Sequence, residues 1–337
     1  MLFCGIDLHS NNSVVVISDE HDKVVYSRRH ANSLEEIRGA LARLKEQLSG
    51  IVIESTYNWY WLVDGLQAAG YRVHLANTCA IKQYPGLKHS DDESDAAHLA
   101  QLLRLGILPT GYISAPAERA LRDLARKRLQ LTYCRTAHIL TVENIVARQT
   151  GGRISSAVVK RLDDEALHEL GQCADVTLSI SANVAVIQTL NEQISKLEMR
   201  LREAVKPRAE FKVLTTTPGI GEILATTIML ETGTVERFAG VGNFASYARC
   251  VESKRVSNGK KKGQGNVKNG NRYLAWAFIE AAHFASRYCP EAKRFYERKK
   301  ARTNSIVATK ALAHKLARAC YHMLKEKQPF DVKRCFA

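Results

Sequence analysis

Four acids in the first hundred residues stand where a carboxylate needs a reason. Asp7 closes the apolar run LFCGIDL and Glu54 closes IVIE, while Asp92 and Asp95 sit three apart at the head of DDESDAAHLAQLL. Positions three apart share one face of a helix. Four carboxylates in one cleft repel each other and do not all stay ionised without a cation. Oxygen-only ligands favour Mg²⁺ or Mn²⁺, and two such ions about 3.5–4 Å apart stabilise the attacking and leaving oxygens of phosphodiester transfer. Each acid also has an ordinary role: Asp7 as a turn residue, Glu54 as a solvated strand end, Asp92 as an N-cap, Asp95 as a first-turn acid. Taken together those roles explain less than one shared metal site. The adjacent Asp91 and Glu93 are expected to be solvated.

The elements that must position these acids follow from the apolar pattern. β-branched runs at Leu2–Ile6, Val14–Ile17 and Val24–Tyr26, linked by SNN and DEHD, predict three antiparallel strands. Ser33 with Glu36 three residues on predicts a helix start, and Leu34, Ile37, Leu41, Leu44 and Leu48 follow helical spacing. GIVIES reads as a buried strand, Trp59–Ala69 as a helix, YRVHLAN as a strand, and Asp92 to Leu105 as a helix stopped by Gly106 and Pro109. The order βββαβαβα is that of an α/β ribonuclease-H-like domain with a mixed sheet, over residues 1–115. It makes the first and fourth strands central neighbours, so Asp7 and Glu54 would sit side by side.

Residues 116–207 read as almost entirely helical. Ile187, Leu190, Ile194, Leu197, Leu201 and Ala204 alternate by three and four, which predicts a coiled-coil seam for dimerisation or an amphipathic helix in a bundle. Residues 208–327 form a further, mainly α-helical region, and 328–337 a tail. In it, TTTPGIGEILATTIML has the form of a helix-hairpin-helix whose Gly219 and Gly221 leave N–H groups for a phosphate. RVSNGKKKGQGNVKNGNRYLAW is expected to be a flexible basic loop, with Lys260, Lys261, Lys262, Lys268 and Arg272 as candidate phosphate contacts.

Charge points the same way. The 337 residues carry +15 overall. Residues 1–110 hold 10 Lys and Arg against 13 Asp and Glu, whereas residues 251–337 hold 21 against 6. A basic C-terminal part joined to an acidic N-terminal one suits a polyanionic partner, and solubility alone requires no such asymmetry. No run of about 18 apolar residues and no signal-peptide pattern occur, which predicts a cytoplasmic protein. The eight cysteines form no C-x-x-C pair and read as packing thiols, not a zinc or redox site.

GIDLHS, VIEST, KHSDDESDAAHLAQLLRLGILP, TTPGIGEILA, RFAGVGNFASYARC and SNGKKKGQGNVKNGNRYLAWAFIEAA occur in that order. In these motifs, from about residue 3 to 325, the chain resembles the insertion-sequence transposases of the IS110 class, which also includes Piv-type DNA invertases. The resemblance implies a RuvC-like DEDD domain, a helical coiled-coil segment and a C-terminal transposase domain with a nucleophilic serine. The family's DEDD tetrad falls on Asp7, Glu54, Asp92 and Asp95. Its serine falls on Ser257, with Asn258 where the family has glycine, so Ser253 stays open as the other register. Also implied are donor and target DNA as partners, a non-coding bridge RNA that pairs with both, a tetramer holding two DNAs, and a bacterial protein associated with the nucleoid when active. Piv-type relatives make inversion an alternative outcome to transposition.

Two other activities compete. A metal-dependent junction resolvase or nuclease would use water and need no serine. An actin-like sugar kinase or ATPase shares the ribonuclease-H topology, but GIDLHS lacks the second glycine of its phosphate loop and the basic tail has no task there.

Overall fold

The alternation in LFCGIDL decides the layout around Asp7. The computed structural model describes residues 1–81, 91–163, 165–166, 170, 173–252, 255–263 and 269–337, with only the backbone of Arg255 and Lys261. Strand β1 spans Leu2–Leu8, and a strand turns successive side chains to opposite faces. Cys4, Ile6 and Leu8 go to one side of the sheet, in one cluster with Ile51, Ile53, Leu62 and Leu66. Gly5 and Asp7 go to the other.

The chain divides into two compact units, Met1–Pro116 and Ala117–Gly263 with Gly270–Ala337. In the first, β2 (Asn12–Ser18) and β3 (Val24–Ala31) extend the sheet antiparallel from β1. On the other edge of β1, β4 (Leu48–Glu54) and β5 (Val73–Ala76) run parallel, followed by a two-residue antiparallel β6 (Thr110–Gly111). The order is β3-β2-β1-β4-β5-β6, so the first and fourth strands are the central pair, as the element order predicts. Two residues make no pattern, and β6 was not expected.

Helices α1 (Leu34–Ala42) and α2 (Tyr60–Ala68) cover the Ile6 face with Ile37, Leu41, Leu62 and Leu66. Ser33 caps α1 by accepting the Glu36 N–H. Helix α3 (Asp92–Arg104) lies on the opposite face, where Ala96 packs with Val14 and Val16, and Leu99 with Val52 and Ala76. Its approach to β1 requires Gly5: a Cβ there would stand 1.9 Å from the Ala96 carbonyl oxygen. The far end of α3 is tied down by Arg104, whose Nε and Nη2 donate to Asp22 at 2.7 and 2.6 Å.

In the second unit α4 (Pro116–Thr150) is followed by the short α5 (Ser156–Val159) and by α6 (Ala174–Val205). Arg128 meets Glu198 at 2.7 Å, Arg135 meets Asn191 at 2.7 Å and His138 meets Asn183 at 2.9 Å, so α4 and α6 run antiparallel. Of the expected seam, Ile187, Ile194 and Leu201 are buried and Leu190, Leu197 and Ala204 half-buried. Ile187 packs with Ile139, Val142 and Val146 of α4, and Leu201 joins the C-terminal core, so the seam has partners inside its own chain.

That core is built by α7 (Ala209–Leu214), α8 (Glu222–Thr232), α9 (Val241–Tyr247), α10 (Arg272–Tyr288), α11 (Pro290–Arg302) and α12 (Ser305–Glu326). Ile228, Phe244, Phe278, Leu316 and Cys320 are fully buried in it. A last helix, α13 (Val332–Phe336), is held by the paired bonds of Arg334 to Glu326 at 2.6 and 2.8 Å. Of the eight cysteines, Cys4, Cys289 and Cys320 are buried, while Cys79, Cys134 and Cys173 are exposed, so packing explains fewer of them than expected. Among the described residues no helix is long and apolar enough to cross a membrane.

Candidate metal centre and serine hairpin

Strand parity and register bring the first two acids together. In the parallel β1–β4 ladder Ile6 pairs with Ile53, and Asp7 and Glu54 stand one step beyond at the carboxyl ends of both strands. Val52 faces α3, so Glu54 two residues on faces it too. Asp7 is 4% exposed. Burial, then the hydrogen bond and charge of Asp7, then the charge of Asp95 push the Glu54 carboxyl up to about 7. Burial and the neighbouring Asp7 thus favour the protonated form of Glu54. This is the crowding that a cation would relieve.

The first turn of α3 supplies the other two acids. Asp91, not Asp92, is the N-cap: its Oδ1 accepts the Ser94 N–H at 2.8 Å, and Ser94 Oγ accepts the Asp91 N–H at 2.9 Å. This frees the Asp92 carboxylate. It takes Arg29 Nη2 at 2.6 Å on one oxygen and lies 3.3 Å from His9 Nε2 on the other. Arg29, then His9, hold the Asp92 carboxyl below the usual carboxylate range. The same His9 nitrogen is 3.1 Å from Asp7 Oδ2, and Arg29 is itself braced by donating to Asn12 Oδ1 at 2.6 Å.

Donor atoms of Asp7, His9 and Asp92 lie within 4.8 Å of one another. The set fits a divalent cation but departs from expectation twice: His9 adds a nitrogen to an all-oxygen list, and neither Glu54 nor Asp95 is among the three clustered donors. Sequence reasoning missed His9 and Arg29. Two-residue spacing from Asp7 was the available signal for His9, whereas Arg29 reaches Asp92 across 63 positions and left none.

The serine stands in the second unit, on a hairpin where a flexible loop was expected. Strands β7 (Arg255–Ser257) and β8 (Lys260–Gly263) pair antiparallel, with Ser257 opposite Lys260. Asn258 (φ 49°) and Gly259 (φ 69°) form the two-residue turn. Left-handed backbone at both positions is the type I′ geometry that an Asn-Gly pair specifies, so the signal was in the sequence. Ser257, Lys260 and Lys262 are exposed. Ser253, Lys268 and the Lys261 side chain lie outside the described residues.

The two glycines of the turn between α7 and α8 differ. Gly219 (φ 85°) is seated on α10, where a Cβ would stand 2.3 Å from the Ala281 carbonyl oxygen. Gly221 caps α8 and faces open space. Arg272, the exposed first residue of α10, lies over the Tyr273 ring at 4.9 Å.

Comparison with known proteins agrees with the motifs. A DEDD transposase model of the IS110 type matches residues 4–148, and the model described as "Transposase IS116/IS110/IS902 family" matches residues 211–297. A "Probable family 20 transposase" of Pseudomonas aeruginosa is 23% identical over 335 residues, 96% of each chain. The "Insertion element IS110 uncharacterized 43.6 kDa protein" of Streptomyces coelicolor is 26% identical over 116 residues, 34% of this chain and 29% of that one. Both ends of the chain thus match one family in the order of its domains, and the chain belongs to the IS110-class transposases.

Proposed function

We propose that this transposase cuts and rejoins DNA through a covalent serine–DNA intermediate, with Asp7, Glu54, Asp92 and Asp95 as ligands of Mg²⁺ or Mn²⁺. In this reading the first unit is a RuvC-like, ribonuclease-H-like domain. The observation that carries it is the convergence of Asp7 and Glu54 at the ends of the two central strands with Asp92, whose donor atom lies within 4.8 Å of those of Asp7 and His9. A divalent ion there would supply positive charge to a scissile phosphate. Glu54 would have to lose its proton to serve as a ligand, and His9 and Arg29 would keep Asp92 ionised and oriented.

Ser257 Oγ then forms a bond to phosphorus while the bond to the leaving deoxyribose oxygen breaks, and that oxygen ends with the proton. A hydroxyl from the second DNA attacks the serine phosphodiester, joins the strands and restores the serine. Lys260 stands opposite Ser257 on the same face of the hairpin, where a lysine can hold a phosphate oxygen beside the hydroxyl. Lys261, Lys262, Lys268 and Arg272 would add charge along the backbone, and Gly221 an N–H at a helix start, as a helix-hairpin-helix would. Sequence choice would rest on a bridge RNA paired with donor and target DNA. Self-association to a dimer and a tetramer would use outer faces of α4 and α6, since the seam is occupied within the chain.

One observation favours a second activity, a nuclease or junction resolvase using water: all four acids lie in one unit, without the serine. Incubation with DNA and Mg²⁺, followed by a denaturing gel, separates the two. A protein–DNA adduct lost in Ser257→Ala and kept in Ser253→Ala supports recombination. Free cleaved ends made by Ser257→Ala at the normal rate would establish the nuclease instead.

A further inference from the structure

We propose that the groove between α4 and the start of α10 docks one unpaired nucleotide, its base stacked on Tyr133 and Trp276 and its phosphate held by Lys127 and Arg272. The inference rests on the chain handling nucleic acid, but not on serine chemistry. The groove lies within the second unit and has a volume of about 590 Å³. That is within the range of clefts that take small organic ligands, roughly 300–1,000 Å³.

Its floor is fixed by a buried polar network. Arg126 donates twice to Glu231, at 2.6 and 2.7 Å, and Glu231 is 5% exposed. Glu231 also accepts from Asn271 Nδ2 at 2.6 Å, and Asn271 Oδ1 caps α10 by accepting the N–H groups of Tyr273 and Leu274. The Arg126 guanidinium lies 4.5 Å from the centre of the Tyr273 ring, which Arg272 also covers while donating to its hydroxyl at 3.0 Å. Cation and ring are thus ordered before any ligand arrives.

Above that floor, Trp276 packs one side against the C-terminal core and Lys127 donates to Gln130 Oε1 at 3.0 Å, which leaves Tyr133 as the large ring turned to solvent. Tyr133 is 56% exposed on a helix whose core contacts are made by other residues. Lys127 and Gln130 are exposed beside it, and Trp276 is half-buried. Among the described lining residues Asp123 is the one carboxylate, against Lys127 and Arg272, with Arg126 already paired to Glu231. A lone phosphate or an acidic peptide would need the cations and not the rings. A duplex hides its base faces. An unstacked nucleotide uses both, because bases stack on aromatic rings and on guanidinium planes, and an amide such as Gln130 can meet a base edge. RNA and DNA share this chemistry.

The test is equilibrium binding of the full chain to labelled oligothymidylate, oligouridylate and a duplex, each about 15 residues long. Tyr133→Ala is expected to bind a single strand on the order of tenfold more weakly, with duplex affinity within about twofold of the wild type. Loss confined to the ribose or the deoxyribose oligomer identifies which strand the groove takes. Equal affinity for all three probes, or an equal loss on all three, overturns the proposal. Should the variant fail to fold, bromouracil oligomers cross-linked to the wild-type chain decide: adducts on Tyr133 or Trp276 support the groove, and adducts only elsewhere overturn it. A wild-type chain that binds no probe contradicts the nucleic-acid reading itself, whereas binding indifferent to Tyr133 contradicts only this inference.

Discussion

The carboxylate cluster and the serine hairpin are held in opposite ways. Asp7 is buried at the end of a central strand, and its neighbours come from β4 and from a helix pressed so closely on β1 that Gly5 admits no side chain. Ser257 is exposed beside a two-residue turn in a sheet of two strands, an arrangement that is marginal by itself. The difference suits the two roles proposed for them. Crowded carboxylates cost free energy until a cation arrives, so the surrounding core must hold them. A nucleophile that reaches into DNA gains from being mobile and solvated. Damage to the first region should therefore reach folding, metal binding and cleavage, and damage to the second mainly strand transfer and DNA contact, with little effect on metal binding.

The largest effect is expected from Asp7→Asn. DNA cleavage should fall roughly 10³-fold or more with affinity for DNA largely intact, as read by gel and by binding titration. Ser257→Ala should match it in strand transfer without changing the melting temperature or the Mg²⁺ affinity. Next comes a pair of glycine replacements. Gly5→Ala forces a Cβ against the Ala96 carbonyl and should cost about 3 kcal/mol in denaturant unfolding, with loss of metal binding as α3 shifts. Gly259→Ala, at φ 69° with open space around it, should cost only about 1 kcal/mol and leave metal binding unchanged.

A smaller effect sharpens the first region. Glu54 has its carboxyl raised from 4.5 to about 7, so the folded chain binds more protons than the unfolded one between those values. Without metal, stability should fall as pH rises through that window, and Glu54→Gln should flatten the dependence. Divalent-ion affinity should rise about tenfold per pH unit below 7 and level off above it, measured by calorimetry. The smallest effect is expected from Lys260→Ala, which should lower the salt slope of DNA binding by about one with a several-fold loss of affinity.

Much of the first region was legible because strand parity and helix spacing are local rules. They placed Asp7 and Glu54 on adjacent strands and Asp92 and Asp95 on one helical face. They missed that Asp91 takes the capping role, because two adjacent aspartates are equivalent as caps until the turn is built. The hairpin was also legible, in the Asn-Gly pair, but the surrounding lysines and glycines resembled a loop. The Arg126–Glu231–Asn271 network was not legible, since its members are 105 and 40 positions apart and share no periodicity. The coiled-coil pattern showed that α6 has an apolar seam, but not that α4 of the same chain would meet it.

The central claim is that the buried acids and the exposed serine serve one reaction. It is tested most directly by trapping the protein–DNA adduct in Mg²⁺, digesting it and mapping the modified residue by mass spectrometry. The account predicts a nucleotide phosphate on Ser257, absent from both Ser257→Ala and Asp7→Asn. Cleavage at the wild-type rate by Ser257→Ala, or an adduct on another residue, would contradict it.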